Sequence, residues 1–146
     1  MDEITFWVPG VPAPGGSKRG IFNRKTGHVA IFENNPIGNR NWRAAVALAA
    51  SEAMAGREIF SGALSLKIMF HLPRPKAHYN TKGILKKTAP CWHTSKPDIT
   101  KLCRSTEDAL TGVIWKDDAL IASSNSYKIY AANQAGAQIR VSQLIF

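Results

Sequence analysis

Carboxylates are scarce in this chain. Ten Asp and Glu face nineteen Lys and Arg, which leaves a formal net charge of +9, and no acidic residue occurs between Ile59 and Pro97. A balance of that kind favours a polyanionic partner, with nucleic acid the leading candidate. Cysteine is nearly absent as well. Cys91 and Cys103 are the only two, too few for a disulfide framework, so both are expected to be reduced thiols. The spacing around Cys91, His93 and Cys103 lacks the paired CxxC or HxxxH pattern of a structural zinc site, and a zinc reading is set aside. Long apolar runs are missing too: nothing approaches the roughly 20 residues of a membrane span, and Met1-Asp2-Glu3-Ile4 is unlike a signal peptide. The protein is expected to be soluble and intracellular. Gly10 to Lys18 is glycine-rich but has no GK[ST] and no helical pattern after it, which rules out a P-loop ATPase.

What the chain has is enough apolar residue, 45% of 146, for one domain spanning 1–146. Ile4 to Val8 reads as a strand, stopped by the Pro- and Gly-rich run from Pro9 to Gly16. A loop carrying Lys18, Arg19, Arg24 and Lys25 should follow, with a second short strand from His28 to Phe32. Asn34-Asn35-Pro36 supplies a helix start, and Trp42, Ala45, Val46, Ala49 and Ala53 recur at helical spacing, predicting a helix from about Pro36 to Ala55. Arg40 and Arg43 on it are either solvated or turned to nucleic acid. Ala63 to Leu72 alternates as a strand, with Leu64, Leu66, Ile68 and Phe70 on one side.

Residues 73–97 form a long basic loop in which Arg74, Lys76, Lys82, Lys86 and Lys87 are interleaved with Tyr79 and Trp92, the composition of a mobile DNA-binding arm. A second helix is predicted from Ile99, Leu102, Cys103, Thr106, Ala109, Leu110 and Val113, which share one stripe, with Thr111-Gly112 as its stop. Strands are expected at Asn125 to Ala131 and Gln138 to Ile145. The resulting order, β-β-α-β-α-β-β, points to an α+β fold with a small mixed sheet and two main helices.

The few carboxylates gather around the second helix. Asp98 precedes it, Asp108 lies on it beside Arg104, and Asp117 and Asp118 follow it. Singly, each has a structural explanation: a helix cap, an i,i+4 ion pair, turn residues. Together, inside a cationic protein, they suit a metal-assisted nuclease, since hard divalent cations take oxygen ligands and Lys and Arg hold phosphates.

KPDITKLCR (96–104), DALTG (108–112) and WKDD (115–118) resemble the RusA-type Holliday-junction resolvases found typically in phages and prophages. Those enzymes carry a Pro-Asp-x-Asp-(Asn or Lys)-Leu motif, a basic residue on the following helix, an Asp-Ala-Leu step and a W-x-Asp-Asp motif. The resemblance implies a Mg²⁺-dependent endodeoxyribonuclease, with Mn²⁺ as a substitute ion, acting as a homodimer that nicks four-way DNA junctions symmetrically in recombination and repair. It would work in the cytoplasm of a bacterial or phage-infected cell. Family metal-ligand roles fall on Asp98 and Asp118, with Asp117 assisting, and the family's helix lysine corresponds to Arg104. A guanidinium keeps the charge but does not give up a proton, so phosphate stabilisation is its expected part. Lys18, Arg19, Arg74, Lys76 and Lys101 are the expected DNA contacts. Thr100 is the departure: it stands where the family pattern has a second carboxylate, which lowers the site's negative charge. Two other readings therefore stay open: a junction- or DNA-binding protein of the same fold with impaired cleavage, and a basic RNA-associated structural protein, which leaves the acidic residues unexplained.

Overall fold

The structure, a computed structural model, describes residues 2–15, 18–33 and 36–145. The expected cap at Asn34 and Asn35, together with Gly16 and Ser17, lies outside the described residues. Eight elements carry the fold: strands β1 (Glu3–Pro9), β2 (Lys18–Asn23) and β3 (His28–Glu33), helix α1 (Pro36–Met54), strand β4 (Leu64–Leu72), helix α2 (Ile99–Leu110), and strands β5 (Ile121–Tyr130) and β6 (Gly136–Gln143). The α+β class, the mixed sheet and both helices agree with the sequence expectation.

Three details differ. Lys18 to Asn23, expected as a loop, is a strand that pairs antiparallel with β3, so the order gains one strand. In this hairpin Asn23 Oδ1 accepts a hydrogen bond from Lys25 N, which organises the turn. β5 begins at Ile121 instead of Asn125, and β6 ends at Gln143 instead of Ile145.

The main sheet has the order β1-β6-β4-β5. Only the β4–β5 pair is parallel, as it must be when α2 carries the chain back between them. Alternation explains why β4 is central: Leu64, Leu66, Ile68, Phe70 and Leu72 are buried while Ser65, Lys67, Met69 and His71 point to the other face. Both helices cover the apolar face. α1 contributes Trp42, Val46, Ala50 and Met54 at successive four-residue steps, and α2 contributes Leu102, Ala109 and Leu110. Gly112 takes a φ of 88°, which turns the chain out of α2 as the sequence predicts.

Polar bonds fix how α2 sits. The Trp42 indole donates to Thr106 Oγ1 at 3.0 Å, joining the two helices. Ser105 Oγ donates to Ala13 O at 2.6 Å, and Gly15 N donates to Lys101 O at 3.1 Å, so the Pro-rich run after β1 is laid along α2. Buried groups left without such partners would each cost about 1–3 kcal/mol.

The stretch after β4 is not a free arm. Tyr130 N donates to Cys91 O, His93 N donates to Lys128 O, and Trp92 bridges Ile129, which binds residues 91–93 along the edge of β5. Lys128 Nζ then donates to Ser95 O and Pro97 O, anchoring the approach to α2.

Candidate active site

Asp98 occupies the N-cap position of α2 but makes no side-chain cap bond. Its carboxylate instead faces Lys101 Nζ at 3.6 Å, and both side chains remain about half exposed. An exposed pair of this kind adds little stability, so the carboxylate is open to other partners. Asp98 and Lys101 border a cavity of about 550 Å³ whose floor includes Leu72, Pro97 and His93. Thr100 and Arg104 are exposed on α2, one turn apart. Asp108 and Arg104 form no ion pair among the described residues.

The WKDD segment lies elsewhere. Asp117 Oδ1 accepts from Ala119 N at 2.9 Å and caps the single 3-10 turn Asp118–Leu120, the structural role expected of a turn residue. Asp118 is exposed, and its neighbour is Glu107 of α2. Burial pushes the Glu107 carboxyl above the usual carboxylate range, and the charges of Asp118 and then Asp108 push it further. Two neighbouring carboxylates thus disfavour the Glu107 charge at this end of the helix.

The ladder shows how far apart the two ends are. Pro97, next to Asp98, is bonded to Lys128, which pairs with Phe70, whereas Asp118 precedes Ile121, which pairs with Leu64. Leu64 and Phe70 are separated along β4 by ~20 Å at ~3.3 Å per residue. Asp98 and Asp118 therefore lie beside opposite ends of β4. No group of three or more His, Cys, Asp or Glu placed to hold a metal occurs among the described residues. The donors are chemically right for a hard cation, three carboxylates and the Thr100 hydroxyl, but among the described residues of one chain they do not form a cage.

Among the expected DNA contacts, Arg74 has partners within the chain. Its guanidinium donates to Pro90 O at 2.7 Å, meets His78 Nδ1 at 3.1 Å and lies over the Tyr130 ring at 5.1 Å, which ties the 73–97 stretch together. Lys76 is exposed in a 3-10 turn, and Lys101 faces Asp98. Lys18 and Arg19 lie in β2, with their side chains outside the described residues.

Sequence reasoning missed Glu107 and His93. Glu107 follows Thr100 and Arg104 at i+7 and i+3, so a helical wheel already puts the three on one stripe. The structure buries His93, with Nδ1 unpartnered, against Tyr130 and beside the cavity at Asp98.

Burial holds the imidazoles of His71 and His93 below their usual value of 6.5, and the Lys128 charge lowers His93 further. The folded state therefore disfavours the protonated rings, and stability is expected to fall as pH drops from 6.5 through the lowered folded values. Urea midpoints measured between pH 7.5 and 5 check this. The His71→Gln, His93→Gln double variant should lose less stability on acidification than the wild type, and an equal loss in both would contradict the assignment.

Comparison with known proteins adds two findings. The family model described as Endodeoxyribonuclease RusA matches residues 9–142. An uncharacterized protein of Bacillus subtilis (strain 168), YqaN, is 29% identical over 133 residues, covering 90% of each chain.

Proposed function

Because the chain belongs to the RusA endodeoxyribonuclease family, we propose that it resolves four-way DNA junctions as a Mg²⁺-dependent homodimer, cutting two strands symmetrically. Mn²⁺ would substitute for Mg²⁺, and the bacterial or phage-infected cytoplasm is where such a substrate would be met. The observation that carries this reading is the placement of Asp98 and Asp118, both exposed, at opposite ends of α2, with Arg104 exposed between them.

That separation supports the dimer. Two copies related by a two-fold axis, with their α2 helices running antiparallel, would set Asp98 of one copy beside Asp118 of the other, and would do so twice. Carboxylates from both chains would then hold the ion, which when bound polarises a phosphoryl oxygen and activates a water. Lys101, held by Asp98 only through an exposed ion pair, is available to a phosphate, and Arg104 offers a guanidinium that clamps phosphate oxygens bidentately. Because phosphate contacts position a duplex without reading its sequence, junction choice would come from DNA shape and the spacing of the two sites. No helix among the described residues is long and apolar enough to cross a membrane.

Thr100 favours a second reading, junction binding with impaired cleavage, because it removes one negative ligand from the family's motif. Incubation with a synthetic four-way junction, with a linear duplex as control and with Mg²⁺ or Mn²⁺ present, separates the two. Paired nicks confined to the junction are expected. Tight junction binding without nicks supports the second reading, and equal affinity for junction and duplex at physiological salt reduces both to generic basic binding.

A further inference from the structure

The main sheet has a face that neither helix covers. Ladder registers arrange its residues in rows, one of which crosses all four strands as Trp7, Gln138, Met69 and Tyr127. The next row is Thr5, Arg140, Lys67 and Asn125. Aromatic rings therefore stand at both ends of one row, with two cations side by side in its neighbour.

Geometry keeps those rings available. Gly136 lets the Trp7 indole lie across β6, since a Cβ there would sit 2.4 Å from Trp7 Cζ2. The indole meets His71 edge-on at 5.1 Å and stays 37% exposed. At the other end Tyr127 has Lys67 Nζ 5.8 Å from its ring centroid, and Trp92 stands 6.4 Å beyond it. The two ends are three strand spacings apart, ~14 Å. Between them is a hollow of about 280 Å³ lined by Lys67, Met69, Gln138 and Arg140 along with Glu3 and Thr5.

Charge narrows the occupant. Arg140 is paired with Glu3 at 2.9 Å, while Lys67 pairs with no carboxylate among the described residues, so the face is net positive. Its remaining polar groups are hydroxyls and amides, which an apolar protein surface would leave unsatisfied. A nucleic-acid strand meets both demands, with base faces for the rings and phosphates for the cations, the mode by which open four-stranded sheets take single strands.

We propose that this helix-free sheet face binds a single unpaired DNA strand, stacked on Trp7 and Tyr127 with its phosphates on Lys67 and Arg140. The face lies on the side of the sheet opposite α2, so the binding is separate from cleavage and does not depend on it. It would hold a strand opened from the duplex while the α2 side engages the junction.

The test uses the full chain in EDTA with a fluorescein-labelled oligothymidine and an abasic oligonucleotide of equal length, read by anisotropy. Wild type should prefer the thymidine oligonucleotide by about fivefold or more, the equivalent of one stacked base. Trp7→Leu and Tyr127→Leu should remove that preference, Tyr127→Phe should keep it, and Lys67→Glu should weaken both probes. Equal binding of the two probes by wild type overturns the proposal. So does wild-type affinity in Lys67→Glu, an exposed position where failure to fold is not at issue. A loss of sedimentation mass in Tyr127→Leu or Lys67→Glu would assign the face to contact between copies and overturn it equally.

Discussion

Asp98→Asn and Asp118→Asn are each expected to lower junction cleavage by about a thousandfold or more, about 4 kcal/mol in the barrier, while junction affinity in EDTA stays equal or rises. Each change removes a metal ligand and also a negative charge that repels phosphate, so catalysis and binding should move in opposite directions. Full cleavage by either variant would place the chemistry elsewhere. A sharper result comes from mixing the two inactive proteins and letting their subunits exchange. If each site takes Asp98 from one copy and Asp118 from the other, a mixed dimer carries one site with both carboxylates and one with neither. Cleavage should then return as single nicks instead of paired ones. Were both carboxylates of a site to come from one chain, every mixed dimer would stay inactive. The ~20 Å between the ends of β4 beside which Asp98 and Asp118 lie is what makes the first outcome the expected one.

The helices and β4 were legible because burial on one face imposes a period the sequence must obey. Leu64, Leu66, Ile68 and Phe70 alternate since only one side of β4 meets α1 and α2, and Leu102, Thr106 and Ala109 recur because one side of α2 does. β2 was not legible: it pairs only with β3, in a two-stranded sheet of its own, apart from the ladder of the main sheet. The start of β5 was hidden for a related reason. Ile121-Ala122-Ser123-Ser124 opens an edge strand in which Ala122 to Asn125 are all exposed, and a segment wet on both sides shows no apolar period. In the candidate site, the motifs that flank α2 could be read directly, but not the distance between them. Asp98 and Asp118 look adjacent in a short segment, yet a twelve-residue helix stands between them and holds them at its two ends. For Arg74, composition shows a cation and not the carbonyl of Pro90 that engages it.

Thr100→Asp is expected to raise junction cleavage at least tenfold, about 1.4 kcal/mol in the barrier, with the largest gain at low Mg²⁺, where ligand charge limits occupancy. Thr100 is exposed on the first turn of α2, two residues after Asp98, so a carboxylate fits there without repacking. Negative charge in a first turn also suits the helix dipole, and Arg104 one turn on is placed to meet it, so the variant should fold at least as well as the wild type. Thr100→Asn supplies the control: it matches the size of the aspartate but not its charge, and should leave the rate where threonine has it. A Mg²⁺ titration of both variants then separates a ligand effect from a change in helix stability, because only the ligand effect shifts the ion concentration at half-maximal rate. If Thr100→Asp moved neither that midpoint nor the rate, its fold being intact, the match of Asp98-Ile99-Thr100 to the family's paired aspartates would fail at its second position. Thr100 would then be an ordinary first-turn residue, and the ion would have to be held by Asp98 and Asp118 with Glu107, the half-buried carboxylate beside Asp118, as the remaining negative ligand within reach.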